Sequence, residues 1–148
     1  MSRKAADLSL GASAEKQLLP VFKEKIDPDL RQTSWSYDSI DFESAKTIIE
    51  LKTRNYKYCD LKDLMIGANK VKRVSDEWAK NKRNGYLVFN CLDGVFYWKF
   101  NPEEFDEMVT YRDGGRNDRG YDERKLCAYI GKKHMKCLIK KDLPIPVF

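Results

Sequence analysis

Histidine is almost missing from this chain of 148 residues, with His134 its single example. The four cysteines, Cys59, Cys91, Cys127 and Cys137, form no Cys-x-x-Cys pair. A structural zinc site needs four nitrogen or sulfur ligands at recurring spacings, so this composition argues against one. Cys91 and Cys127 lie in apolar runs and read as small buried hydrophobes, and all four cysteines read as reduced thiols. The first residues, Met1 to Asp7, lack the apolar stretch of a secretory signal, and no segment approaches the length of a membrane span. No repeat, linker or low-complexity segment is visible. These absences predict a soluble, intracellular protein with no membrane partner. They also predict one domain over residues 1–148, long enough to bury a real core.

What is present is charge. Charged residues make up 34% of the chain and hydrophobic ones 42%, as in soluble globular proteins. The net charge is +5. Residues 112–142 hold ten Lys or Arg against five Asp or Glu, an excess equal to that of the whole chain. A basic surface near the C-terminus suits a polyanion, although many proteins of similar charge never meet one.

The most informative stretch is Ile40-Asp41-Phe42, a short polar break, then Ile48-Ile49-Glu50-Leu51-Lys52. Apolar and charged residues alternate, which predicts a β-hairpin with one apolar and one charged face. If Ala45 and Lys46 centre the turn, Ser44 faces Thr47 and Asp41 falls opposite Glu50, with Lys52 on the same face. A loop one residue longer or shorter flips the parity and puts Asp38 in place of Asp41. The apolar neighbours Ile40 and Phe42 favour Asp41, and the sequence leaves both open. Two adjacent carboxylates repel unless a cation lies between them. The ordinary alternative is a solvated strand face with weak ion pairs.

Asp41-x(8)-Glu50-Leu51-Lys52 across a hairpin resembles the signature of PD-(D/E)XK nucleases, the restriction-endonuclease-like superfamily. Ile40 stands where the signature has proline, a position at which the superfamily is permissive. The resemblance implies an α/β fold, a central mixed β-sheet flanked by helices around a restriction-endonuclease-like core. It implies that Asp41 (or Asp38), Glu50 and the Leu51 backbone carbonyl hold Mg²⁺, with Mn²⁺ a substitute. It implies that Lys52 orients or activates the attacking water. Independent chemistry agrees: Mg²⁺ takes oxygen ligands and polarises phosphoryl oxygens, and an ammonium stabilises charge developing nearby.

Three further segments extend the likeness. Ser13 reads as an N-cap before a helix over Glu15–Ile26 with Leu18, Leu19, Phe22 and Ile26 facing the core, weakened by Pro20. Gly11-x(3)-Glu15 resembles the superfamily's N-terminal helix, whose glutamate supports the metal site; a first-turn acid favouring the helix dipole is the equal alternative. Next, Leu64–Val71 precedes a helix with Val71, Val74 and Trp78 on one face. By order and placement Lys70 matches the superfamily's lysine or glutamine that approaches the site; otherwise it is a surface lysine. Third, Gly114-Gly115-Arg116-Asn117-Asp118-Arg119-Gly120 reads as a tight loop presenting guanidinium groups, which match phosphate oxygens. Similar runs occur in small nuclease-like proteins of phages and large DNA viruses. The competing reading pairs Arg116 and Arg119 with Asp113 and Asp118.

Elsewhere, Tyr86–Leu92 and Val95–Phe100 read as strands joined by an Asp93-Gly94 turn. Asn101-Pro102-Glu103-Glu104 reads as a helix start, and Leu126–Ile130 as a last strand. Trp35, Trp78 and Trp98 read as core, while Tyr56 and Tyr58 are either base-stacking platforms or loop aromatics. The order helix, hairpin, helix, hairpin, short helix, strand needs one more strand to match the superfamily core. The function expected from the resemblance is a Mg²⁺-dependent nuclease, endonuclease over exonuclease, with DNA as partner and RNA as an alternative. Catalysis would fall to Asp41, Glu50, Lys52, Glu15 and Lys70, and nucleic-acid binding to Arg116, Arg119 and Lys70. Alternatives are a non-catalytic nucleic-acid-binding protein, a branched-DNA resolvase or an RNA-cleaving variant. A homodimer or larger assembly fits a resolvase, and the host cytoplasm or nucleus fits a viral source.

Overall fold

Strand Thr47–Thr53 carries Thr-Ile-Ile-Glu-Leu-Lys-Thr, and its first five residues are buried whichever way they point. A strand apolar on both faces belongs in the middle of a covered sheet. The computed structural model, which describes residues 3–33, 40–105, 109–114 and 125–141, places it there. In chain order the elements are α1 (Arg3–Lys25), β1 (Arg31–Gln32), β2 (Phe42–Glu43), β3 (Thr47–Thr53), β4 (Asp63–Gly67), α2 (Ala68–Asn81), β5 (Asn84–Cys91), β6 (Gly94–Lys99), β7 (Val109–Gly114), β8 (Lys125–Gly131) and β9 (Lys136–Lys140). One six-stranded sheet has the order β1-β2-β3-β5-β6-β9, and a three-stranded sheet has the order β4-β8-β7. The β3–β5 pair is parallel, which requires a long crossover; β4 and α2 lie within it. The other pairs are antiparallel, so the large sheet is mixed, as an α/β restriction-endonuclease-like fold requires.

Each face of that sheet holds its own apolar cluster. On one, Leu18 and Phe22 of α1 meet Phe42, Ile49, Leu51 and Val88. On the other, Val71 and Val74 of α2 meet Ile48, Leu87 and Phe89, and the small sheet adds Leu64, Ile66 and Ile130. Each fully buried side chain of this size contributes about 1.5–3 kcal/mol. Gly85 sets how closely α2 approaches, because a Cβ there would lie 2.6 Å from Cβ of Val74.

Several sequence expectations need correction. The hairpin has no solvated charged face, because α1 and α2 cover both sides of β3. Helix α1 begins at Arg3, so Gly11 and Ser13 lie inside it and Ser13 is no N-cap. The alanines and leucines of residues 5–14 supply the propensity that carries the helix past Gly11, and it runs through Pro20. The second hairpin turns at Leu92 and Asp93, with Cys91 opposite Gly94. Gly94 opens β6, paired with Cys91 and Lys140, and β9 comes so close there that a Cβ would meet the Ile139 carbonyl at 2.8 Å. Strands β1, β4, β7 and β9 were not anticipated; β1 is two residues long and β9 is largely exposed, so neither leaves an apolar pattern. Residues 102–104 form a turn rather than the expected helix start, with the Asn101 side chain accepting from the Glu103 amide at 3.0 Å. Tyr58 stacks on Phe96 with centroids 3.6 Å apart and Tyr56 packs against the core, so Tyr58 has a face already taken and is no open base platform. Cys91 and Cys127 are buried and all four thiols are free. No helix among the described residues is long and apolar enough to cross a membrane.

Candidate active site

The site begins with a turn. Ser44 Oγ donates to Oδ2 of the buried Asp27 at 2.5 Å and accepts from the amides of Lys46 (3.3 Å) and Thr47 (3.1 Å). The Ser44 amide donates to the Thr47 carbonyl at 2.8 Å. Ala45 and Lys46 therefore centre the turn, and the register follows: Glu43 pairs with Ile48 and Phe42 with Ile49. The same register carried one step further sets Asp41 opposite Glu50. The pleat breaks at that step. Ile40 packs on the α2 side and Phe42 on the α1 side, although regular alternation would put both on one face. The Asp41 amide donates to the Ile49 carbonyl at 2.9 Å, and Asp41 Oδ2 accepts the Leu51 amide at 2.7 Å. Thr33 donates to the Asp41 carbonyl from its amide (2.9 Å), and its hydroxyl donates to the neighbouring Ile40 carbonyl (2.6 Å). Asp41 is thus fixed at the backbone and held by one carboxylate oxygen.

Glu50 alternates to the α2 side with Ile48 and Lys52. Its Oε1 receives two ammonium groups, Lys52 Nζ at 3.2 Å and Lys70 Nζ at 3.1 Å. Lys70 reaches it from the first turn of α2. Glu50 is 6% exposed, and its Oε2 is buried with no hydrogen-bond partner among the described residues. Burial pushes the Glu50 carboxyl up to about 7, Asp41 adds to the rise, and the two lysines oppose it. Burial also raises Asp41 to about 7; the Leu51 amide opposes, and Glu15 raises it further through a hydrogen bond and its charge.

Glu15 comes from α1, on the other face of the sheet, and meets Asp41 where the pleat breaks. Gln32 Nε2 donates to Glu15 Oε2 at 2.7 Å, which is how the short strand β1 serves the site. Five residues named from sequence, Glu15, Asp41, Glu50, Lys52 and Lys70, therefore converge from α1, β3, α2 and the approach to β2. Asp38, Arg116 and Arg119 lie outside the described residues. The sequence reading missed the supporting residues Asp27, Gln32, Thr33 and Ser44. Their signals are a serine before the turn and polar residues ahead of Asp41, which occur in most loops.

Among the described residues no group of three or more His, Cys, Asp or Glu could by itself hold a metal ion. The donors for a cation are fewer and harder: Asp41, the bare Oε2 of Glu50 and the adjacent backbone. An all-oxygen set suits Mg²⁺ better than a nitrogen- or sulfur-seeking metal. Two carboxylates that burial and mutual repulsion hold near neutrality gain most from a divalent cation.

A mixed sheet with helices on both faces, and an acid, acid and lysine at its centre, defines the restriction-endonuclease-like class. The chain belongs to the family described as "Phage putative PDDEXK endonuclease", whose model matches residues 3–131. No curated protein and no solved structure matches the chain. Family membership places the chain among phage-type PD-(D/E)XK proteins and leaves metal, substrate and mode of attack to the chemistry of the site.

Proposed function

We propose that this protein is a divalent-metal-dependent endonuclease that cuts DNA. One observation carries the reading: the buried, partnerless Oε2 of Glu50 beside Asp41, with Lys52 and Lys70 gathered on Oε1. A partnerless buried carboxylate oxygen costs stability, by about 1–3 kcal/mol or more when charged. Structural acids avoid that cost; a binding site accepts it. Asp41, Glu50 and the Leu51 carbonyl would hold Mg²⁺, or Mn²⁺ in its place. Bound there, the ion supplies polarisation of a phosphoryl oxygen and a lowered pKa for water. Lys52 positions the attacking water and offsets charge on the phosphate in the transition state. Lys70 keeps Glu50 oriented and approaches the phosphate. Glu15, braced by Gln32, supports Asp41 and water next to it. Arg116 and Arg119 would grip the backbone, positioning the strand without reading its sequence. The chain would work as one domain over 1–148 in the host interior, as a monomer or a homodimer.

The test is cleavage of supercoiled plasmid, linear duplex, single-stranded DNA and RNA in Mg²⁺, Mn²⁺ or EDTA, with Glu50→Ala and Lys52→Ala beside wild type. Metal-dependent cutting of DNA that both variants lose, with folds intact by circular dichroism, is the expected result. Full cutting by both variants ends this mechanism. Salt-sensitive binding without turnover would make the protein a binding module, and degradation confined to the RNA lane would change its substrate.

A further inference from the structure

Beyond the end of β3, one residue after Lys52, lies a second polar pocket of about 290 Å³. Gln17 of α1, Thr53, Arg54, Asn55, Asn90 and Lys141 supply its polar lining, and among the described residues no acid contributes. The pocket sits at the carboxyl ends of the parallel strands β3 and β5, where Thr53 pairs with Asn90. That is where open α/β sheets receive ligands. Along the strand it begins about 10 Å from Glu50. Glu15 and Gln17 of the same helix therefore serve the two sites from neighbouring positions.

Lys141 is the unusual member. Its Nζ donates to Asn90 Oδ1 and, at 3.0 Å, to the Cys91 carbonyl. Both acceptors are neutral. The other part-buried cations near the site are matched with acids: Lys52 and Lys70 with Glu50, and Arg83 with Glu77 and Glu43. Among the described residues no carboxylate pairs with Lys141. Asp142, the next residue in the chain, lies outside the described residues, and Asp93, whose carbonyl accepts the Lys141 amide at 3.1 Å, has both carboxylate oxygens occupied by the amides of Tyr58 (2.7 Å) and Cys59 (3.1 Å). Cys91 is no hidden counter-charge, because burial pushes its thiol up to about 11. Burial pulls the Lys141 pKa down, and the nearby Asp93 charge opposes the fall only in part. Asn90, itself 8% exposed in the middle of the sheet, is spent on holding this lysine and on a 3.5 Å contact from Nδ2 to Thr53 Oγ1. A lysine held in place by neutral groups, beside an arginine and amide donors, is built for an anion that arrives from outside.

We infer that the Lys141–Arg54 pocket binds a phosphate group of the substrate strand next to the one being cut. The inference rests on the reading of the protein as acting on nucleic acid. The phosphate is either an internal backbone phosphate or a terminal 5′-monophosphate; the chemistry is shared and the test separates them.

The experiment measures binding of the full chain to a duplex oligonucleotide in EDTA across a salt series. Wild type is compared with Lys141→Met, Arg54→Gln and Lys141→Arg, using 5′-phosphorylated and 5′-hydroxyl duplexes. A lost duplex phosphate contact lowers the slope of log K against log salt by about 0.9. Lys141→Met and Arg54→Gln are each expected to lose about that much slope and roughly tenfold in affinity at low salt, with Lys141→Arg keeping both. A wild-type preference for the 5′-phosphorylated end that disappears in the variants assigns the pocket to a terminal phosphate. The same slope loss without end preference assigns it to an internal one. Arg54→Gln guards against misfolding, since Arg54 meets the Asn90 carbonyl through its backbone amide, at 2.9 Å, and the substitution keeps that bond and the Lys141–Asn90 one. Unchanged slope and affinity in both variants, with wild type binding and cutting, overturn the pocket and leave the nuclease reading intact. Slope loss in the variants of a wild type that does not cut in Mg²⁺ supports the pocket and removes the catalytic reading. A wild type that neither binds nor cuts overturns both.

Discussion

Two buried acids lie within one hairpin's reach of each other and live under opposite conditions. Asp27 is 1% exposed and Glu50 is 6% exposed. Asp27 accepts from the Ser44 hydroxyl and the Asp29 amide, so each of its oxygens has a donor. The Ser44 hydrogen bond leads the influences that hold its carboxyl below the usual range. Glu50 has two cations crowded on one oxygen, a bare second oxygen and another carboxylate nearby, and its carboxyl is pushed up to about 7. Burial alone does not separate them. What differs is satisfaction: both Asp27 oxygens have donors, and Glu50 keeps one oxygen with no partner among the described residues. The first holds the register of β2 and β3; the second uses it.

The largest expected effect is on activity. Glu50→Gln should lower cleavage by at least about 10³-fold, roughly 4 kcal/mol of barrier. Its stability should stay within about 1 kcal/mol of wild type, because shedding a buried charge and losing two lysine pairs offset one another. Asp27→Ala should do the reverse. It strands Ser44 and the Asp29 amide at a cost of about 2–3 kcal/mol, read by urea unfolding, with turnover per folded molecule changed far less than in Glu50→Gln. Equal activity losses in the two variants would break the distinction.

Ligand linkage gives the next effect. Mg²⁺ at about 100 times its dissociation constant should stabilise wild type by about 2.7 kcal/mol. A thermal melt should show the shift in wild type and none in Asp41→Asn, whose amide can still accept from Leu51. A shift of equal size in Asp41→Asn would place the ion elsewhere.

The pH profile should carry two opposite signs. Asp27 is depressed in the folded state, so its contribution is present above the unfolded value of about 3.9 and disappears as pH falls through the folded one. Asp41 and Glu50 are raised to about 7, so in metal-free buffer their contribution is fully present below about 4 and is lost as pH rises through 7. Asp27→Asn should flatten the acid limb of the stability curve and Asp41→Asn the neutral one. Mg²⁺ should remove the neutral limb in wild type.

These two acids also mark how far the sequence could be read. Glu50 and Lys52 were visible because alternation on a strand puts them on one face whatever surrounds it, and Asp41 followed once the turn was placed at Ala45 and Lys46. Lys70 and Glu15 were visible through order in the chain. Asp27 was not: a solitary acid after a helix has no periodicity, and its value depends on Ser44, seventeen residues on. The hairpin's faces were misread for a related reason. Alternation reports on one strand, whereas the burial of β3 is decided by α1 and by α2, which arrives with a parallel crossover no local pattern announces. Strand β1 was missed because two exposed residues carry no apolar signal, although Gln32 within it steadies Glu15.

The smallest effect sharpens the comparison at the turn itself. Arg83 follows α2 and spans both regions: its Nε donates to Glu77 Oε2 at 2.9 Å, and its Nη1 reaches Glu43 Oε2 at 3.3 Å and the Ser44 carbonyl at 3.2 Å. It thereby ties the end of the helix that delivers Lys70 to the turn that delivers Asp41. Burial raises the Glu77 carboxyl, yet the Arg83 and Asn81 hydrogen bonds outweigh it and leave Glu77 below its ordinary value, a third satisfied acid of the Asp27 kind. Arg83→Met keeps the stem and removes the fork. It should cost about 1 kcal/mol, the range of a part-exposed ion pair with added hydrogen bonds. If Arg83 only braces the fold, cleavage per folded molecule will stay near wild type, and the distance from register to catalysis is absorbed by Asp27 and Ser44. If cleavage instead falls about tenfold at unchanged Mg²⁺ affinity, the turn and α2 are mechanically coupled, and the satisfied acids belong to the working site as much as Glu50 does.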